Sequence, residues 1–370
     1  MYEHCASCHQ ADQIGPFDLT EYANAAPWGP AMAAETAARR MPPFGADNSG
    51  ECGEWRDARW LSEAEIATIG DWVAASMPEG TPPEAPLTVP EPDRLTAPDM
   101  TVDIGVDYTP VASADYPEDD YRCFLLDPGL SEAQFIKAFE VEPGDPEIVH
   151  HVILWSLDDD NAQAEAEALA GEDGSYTCFG SSGVRASTPL ATWAPGAGVV
   201  RYPEGTGVKL EANRKMVMQM HYHLLPESRS DRTQVHLDLE PSVDREAITW
   251  LLLDPGLAIP AGQDEATYSF DFSLSDLGVP VGVNVWGVLP HMHKRGTSIT
   301  ATVDGECLVD VPVWDFEWQQ QYFFTNPQYV GPDDVVQITC SYDTSEDSSP
   351  IGWGDGSNDE MCLVGVYVTL

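Results

Sequence analysis

The chain has 370 residues, with 62 acidic against 17 basic side chains and a formal net charge of −45. So acidic a surface repels nucleic acid and anionic lipid, which leaves no nucleic-acid partner, and it suits a cationic redox partner. The length calls for two or three units rather than one small core, and no apolar run reaches the roughly 18 residues of a membrane span.

Residues 1–79 read as helical. Cys5-Ala6-Ser7-Cys8-His9 is the attachment pattern of one covalently bound haem c, with two thiols for thioether bonds and an imidazole as axial ligand. A zinc knuckle or redox dithiol would want a second ligand pair or a βαβ context, and the sequence offers neither. Further on, Ser62 and Glu65 form a capping box ahead of Ile66, Ile69, Trp72 and Val73 at helical spacing. This stretch resembles the small c-type cytochromes. The resemblance implies a sixth ligand from a Met in a loop before the last helix, where Met41-Pro42-Pro43 stands, with Met32 and Met77 as lesser candidates. A haem held by Met and His has no open site and carries electrons rather than binding oxygen. A helix normally precedes such a motif, so the start is expected to be truncated and an export signal lost with it; no signal peptide is present.

Residues 80–99 are rich in Pro and acidic side chains and read as an extended linker. Beyond them, short apolar runs at 149–155, 215–225, 282–289, 335–342 and 363–370 alternate with turn residues, and only 162–170 looks helical. This texture predicts two β-sandwiches in series, 100–240 and 241–370. The expected fold class is multidomain: a small all-α cytochrome c domain followed by two all-β jelly-roll-like sandwich domains.

Histidines punctuate the β runs. His291-x-His293 puts two imidazoles on one side of a strand, whereas His150 and His151, as neighbours on a regular strand, point to opposite faces. His221 sits in a third apolar run, where an unpaired imidazole is costly to bury. Taken in order, His150-His151, Gln219-Met220-His221-Tyr222, His291-Met292-His293 and Asp359-Glu360-Met361-Cys362 resemble the type II copper, ascorbate-dependent monooxygenases, over roughly residues 100–370. That is the family of peptidylglycine α-hydroxylating monooxygenase and dopamine β-monooxygenase.

The resemblance implies two copper ions. The electron-supplying one would take His150, His151 and His221, and the oxygen-binding one His291, His293 and the thioether of Met361, a donor set that favours Cu(I) over zinc or calcium. Tyr121 and Gln219 match positions beside the first copper or on the route from it, and count with His291, His293 and Met361 as catalytic candidates. Cys123 with Cys178, and Cys340 with Cys362, match family disulfides. Cys52 and Cys307 then either bridge the haem domain to the second sandwich or stay as free thiols. Haem attachment and disulfides both belong outside the reducing cytosol, so a periplasmic or exported location is expected. Where the peptide-hydroxylating relative holds a substrate carboxylate, this chain has Leu289, Leu363 and Gly365, which points to an apolar or aromatic substrate. Trp286, Trp314, Trp318 and Phe316 are candidates for its pocket or for the core. The expected function is hydroxylation of a C–H bond of a small organic substrate with O2, with electrons from the haem, from ascorbate, or from both. The alternative is a non-catalytic haem and copper protein for electron transfer or copper handling.

Overall fold

A computed structural model describes residues 4–11, 13, 15–81, 88, 93–114, 116–195 and 197–370. Most of the predicted linker, 82–87 and 89–92, lies outside the described residues. The chain divides into two compact units: residues 1–48 with 57–93, and residues 49–56 with 94–370.

The smaller unit corrects the expected fold class. It is no all-α cytochrome c domain: among its described residues the α-helices are Tyr22–Ala25, Gly29–Ala37 and Glu63–Ala74, of 4, 9 and 12 residues, and the other described residues are turn and coil around one 3-10 turn. The reason lies in punctuation. Prolines 16, 42 and 43 and glycines 15, 45, 50 and 53 keep the stretches on either side of Gly29–Ala37 from forming longer helices before residue 60, while Gly29 and Pro30 stand in that helix's first turn. The longest helix, Glu63–Ala74, begins at the capping box, where Ser62 Oγ accepts from Glu65 N–H and the Glu65 carboxylate accepts from Ser62 N–H at 2.8 Å. Leu19, Ala25 and Met32 form a small core with Cys5, Phe17 and Ile69 against it.

The larger unit is mostly β, and strands from both of the expected sandwiches meet in one sheet. One nine-stranded sheet runs Met100–Asp103, Gln234–Glu240, Gln134–Glu142, Thr206–Leu210, Arg245–Leu253, Leu363–Thr369, Val283–His291, Tyr322–Val330, with Val200–Arg201 paired to the third of these. Strands from either side of residue 240 share it because Arg245–Ala247 pairs in parallel with Thr206–Val208, while the same strand pairs antiparallel with Leu363–Thr369. Every residue of Leu363–Thr369 is buried, as a central strand covered on both faces requires, and its sequence is accordingly a continuous apolar run.

A five-stranded sheet, Ser175–Thr177, Asp119–Leu126, Met216–His223, Val149–Ser156 and Pro189–Trp193, packs its apolar side chains with those of the nine-stranded sheet. Phe139, Met218, Tyr222, Phe323 and Tyr367 belong to that one core, and Tyr202 stacks on Tyr367 at 4.4 Å. Ala266–Phe272, Val336–Tyr342, Gly296–Val303 and Glu306–Val311 make a four-stranded sheet.

Three disulfides join Cys52 to Cys307, Cys123 to Cys178, and Cys340 to Cys362. The first clips Ser49–Arg56 to the larger unit. Trp55 bridges to Phe324 and stacks on it at 4.4 Å, and Arg56 N–H donates to Phe323 O at 2.7 Å, so the segment covers the free edge of Tyr322–Val330. If a protease site is inserted at Thr88 and cleaved, the two fragments run as one band on a non-reducing gel and separate only after reduction; separation without reductant would contradict the Cys52–Cys307 pairing.

Candidate metal centres

The first ligand set is built by two neighbouring strands. His151 pairs directly with His221 across Val149–Ser156 and Met216–His223, and the register shifts between Val149 and His151. That irregularity inserts His150 as an extra residue and re-aims it, so adjacent histidines serve one site where a regular strand would part them. The ligand atoms of His150, His151 and His221 all lie within 4.8 Å of one another.

Asp119 orients the third of them. Its carboxylate, almost fully buried, accepts from His221 Nε2–H at 2.9 Å, from Ser357 Oγ–H at 3.0 Å and from Ser357 N–H at 3.3 Å, and His223 Nδ1 stands 3.7 Å away. With its only proton committed to Asp119, His221 turns the bare Nδ1 toward His151 Nδ1, 3.2 Å away. Burial pushes the Asp119 carboxyl up, but the hydrogen bonds from His221 and His223 outweigh it and hold the group well below the usual carboxylate range. Tyr121 stacks on His221 at 4.1 Å and donates its hydroxyl to Asp355 O.

The second set comes from a strand end and the loop before a strand. His291 closes Val283–His291 and donates Nδ1–H to Gln319 Oε1 at 2.6 Å, while His293 donates Nδ1–H to Asp359 O at 3.2 Å; both keep Nε2 for a ligand role. Glu360, fully buried, accepts the backbone N–H of His293, Arg295 and Met361 at 2.9, 2.7 and 3.3 Å and so ties the His-x-His turn to the Met361 loop. Burial pushes its carboxyl up to about 7 against those donors. Arg295 adds paired bonds to Asp347 at 2.6 and 2.7 Å and one to Asn358 O.

All five imidazoles are neutral at physiological pH. Burial drives His150 and His151 well below the ordinary value, lowers His221, and takes His291 to about 4 and His293 to about 3. Such groups meet a metal without first releasing a proton. His150 Nδ1 is buried with no hydrogen-bond partner among the described residues, an orphan that a metal ion would satisfy.

One cavity of about 380 Å³ gathers His150, His151, His291, His293, Met361, Tyr121 and Gln219 on its wall. Leu289 and Leu363 line it as well. Its tryptophans are Trp193 and Trp353 rather than those the sequence nominated. Trp286 instead donates Nε1–H to Thr369 Oγ1 at 3.0 Å and packs on the core. Phe316 stacks on His150 at 4.7 Å and lies edge-on to His293 at 6.1 Å, so one ring touches both ligand sets. Sequence reasoning missed Asp119, Gln319 and Glu360. Asp119 shares a strand face with Tyr121 and Cys123, and that two-residue alternation was the one signal available.

The haem motif stands in the smaller unit. Cys5 and Cys8 are free thiols, and His9 N–H donates to Cys5 O at 2.9 Å, the single turn that the spacing requires. His9 Nδ1–H donates to Phe17 O at 3.2 Å, which reserves Nε2 for an axial bond. Gly15 is needed here, since a Cβ would lie 2.7 Å from His9 Nδ1 and from Cys8 O. Met41 is 40 % exposed, while Met32 is the methionine buried in this unit's core.

Comparison with known proteins bears on the second ligand set. Residues 247–369 match the family described as copper type II ascorbate-dependent monooxygenase, C-terminal domain. Dopamine beta-hydroxylase of Canis lupus familiaris is 25% identical over 191 residues, 47% of this chain and 31% of that protein. Tyramine beta-hydroxylase of Caenorhabditis briggsae is 24% identical over 258 residues, 61% of this chain and 40% of that protein, and DBH-like monooxygenase protein 2 of Mus musculus is 25% identical over 276 residues, 67% and 43% respectively. The chain thus spans between 31% and 43% of these relatives' length. These likenesses support the copper type II monooxygenase family over the matched residues. The donor set agrees, since imidazoles with one thioether and no carboxylate among the candidate ligands suit copper.

Replacing Asp119 by Asn removes the full charge that holds His221. Copper(I) affinity of the first site should fall by about 10- to 100-fold in competition with a chromogenic chelator; an unchanged affinity would leave Asp119 without that role.

Proposed function

We propose that this chain hydroxylates a C–H bond of a small apolar organic molecule with O2, using two copper ions and electrons delivered through a haem c, with ascorbate as an added reductant. The observation that carries the reading is the convergence of four imidazoles, those of His150, His151, His291 and His293, and the Met361 thioether on one cavity whose described lining contains neither Lys nor Arg. Copper, when bound at the two sets, supplies oxygen binding and the two single-electron steps that monooxygenation needs.

The chain's own residues do the rest. His150, His151 and His221 would hold the first ion, with Asp119 fixing the tautomer of His221. His291, His293 and Met361 would hold the second, with Gln319 and Glu360 setting their directions. Phe316, between His150 and His293, limits water between the sets. Leu251, Leu253, Leu289 and Leu363 favour an apolar substrate and disfavour a carboxylate, which would find no cation on the wall. Cys5, Cys8 and His9 would hold the haem, supported by their motif and by the His9 bond to Phe17 O. Three disulfides fit an exported, periplasmic protein, and among the described residues no helix is long and apolar enough to cross a membrane.

Oxygen uptake by the copper-loaded chain with ascorbate and a panel of aromatic and aliphatic compounds tests this directly. Uptake should depend on substrate and disappear in Met361→Ala. Two bound coppers with no uptake on any compound would favour electron transfer or copper handling instead. Expression alongside haem-attachment machinery should add the mass of one haem to the intact chain, and Cys5→Ser with Cys8→Ser should abolish that addition; an unmodified mass would remove the haem from the reading.

A further inference from the structure

The smaller unit carries a stack of rings that leads out from the haem motif. His9 packs on Phe17 with ring centroids 4.5 Å apart, and Phe17 stacks nearly parallel on Trp28 at 4.2 Å. Phe17 is half-buried and Trp28 is 44% exposed, so three rings in contact run from the candidate axial ligand to solvent. Tyr22, 40% exposed, donates its hydroxyl to Met77 O at 2.8 Å, and Gly29, next to Trp28, has no room for a Cβ beside Met77 Sδ and Trp72. Tyr22, Trp28, Trp72 and Met77 therefore form one patch. Exposed carboxylates border it in the chain: Glu21 before Tyr22, Asp71 before Trp72, and Glu79 after Met77 and Pro78. The unit has no lysine, and of its arginines, Arg39, Arg40 and Arg59, the first two are paired with Glu63 and Glu35.

We propose that this patch docks a cationic one-electron carrier protein, and that electrons pass between that partner and the haem that His9 would hold by way of Trp28 and Phe17. Interfaces place aromatic rings at the centre and polar groups at the rim, and transient redox encounters need only a small area. The excess of carboxylates selects a lysine-rich partner, speeds its arrival and repels a second copy of this chain. One electron moves in each encounter: the carrier is oxidised as the haem is reduced, with no bond formed or broken and no proton transferred. The inference rests on reading Cys5, Cys8 and His9 as the haem site, and it deepens that reading by naming the partner and its point of contact.

Docking can be read without turnover and without haem. Calorimetric titration of the full chain with a lysine-rich cytochrome c, at an ionic strength of about 10 mM where screening is weak, should give one site. Trp28→Ser should weaken it at least about tenfold, as loss of a central aromatic contact does, and Trp28→Tyr should keep most of it. Tyr329→Ser, at a ring 67% exposed on the larger unit, should change nothing. No binding, equal binding by Trp28→Ser, or equal losses in the Trp28 and Tyr329 variants would overturn the proposal, the last because the acidic surface at large would then hold the probe. On the haem-loaded chain, Phe17→Leu breaks the stack and keeps the backbone carbonyl that His9 uses. Docking affinity and haem midpoint potential should stay, while the stopped-flow rate of electron transfer with the same probe falls severalfold; an unchanged rate would overturn the relay. A chain that docks the probe through Trp28 yet takes up no haem defeats the haem reading and leaves the docking site standing. One that takes up haem without Trp28-dependent docking defeats this inference alone.

Discussion

The buried carboxylate of Asp119 is the constraint on which the metal centres depend. It takes the one proton of His221 and so decides which ring nitrogen faces the first site, and it also accepts both the hydroxyl and the backbone N–H of Ser357. Ser357 stands four residues before Met361, in the loop that delivers the thioether of the second set. A charge this deep is tolerated because three neighbouring residues satisfy its oxygens. The same group therefore orients one ligand set and steadies the approach to the other, and the Tyr121 hydroxyl bond to Asp355 O repeats that link two residues along the strand.

Sheet topology supplies the scale on which this link operates. The two ligand sets lie more than a hundred residues apart at their extremes, yet the five-stranded sheet that carries the first packs in one core with the nine-stranded sheet that carries His291. A cavity framed by such a body changes shape little, because close-packed strands do not slide freely. Gln319, on the wall but in no strand, belongs to the turn at 315–319. Its Phe316 ring touches both sets, and its Gln319 amide, held by a bond from Nε2 to Phe316 O at 2.9 Å, receives the proton of His291. One short turn thus reports on both centres at once.

What was legible in the sequence was local. The Ser62–Glu65 capping box, the apolar run at 363–370 and the clustering of histidines in buried strands all follow from spacings of a few residues. What escaped was non-local. Nothing near His150 announces the register irregularity that lets it join His151, because that depends on how Val149–Ser156 meets Met216–His223. Asp119 is one acidic residue among 62, and only its strand pairing places it beside His221. The expectation of an all-α first domain failed where prolines and glycines outweighed the motif that prompted it, and nothing local announced the parallel pairing of Arg245–Ala247 with Thr206–Val208 that joins strands from either side of residue 240.

The central claim is that two distinct sets, three imidazoles in one and two imidazoles with a thioether in the other, face the same cavity. Copper K-edge absorption of the reduced protein loaded with two equivalents tests it most directly. The account predicts two tightly held coppers per chain sharing five imidazole nitrogens and one sulfur, with the sulfur signal absent in Met361→Ala. One copper per chain, or a spectrum without sulfur in the native protein, would contradict it.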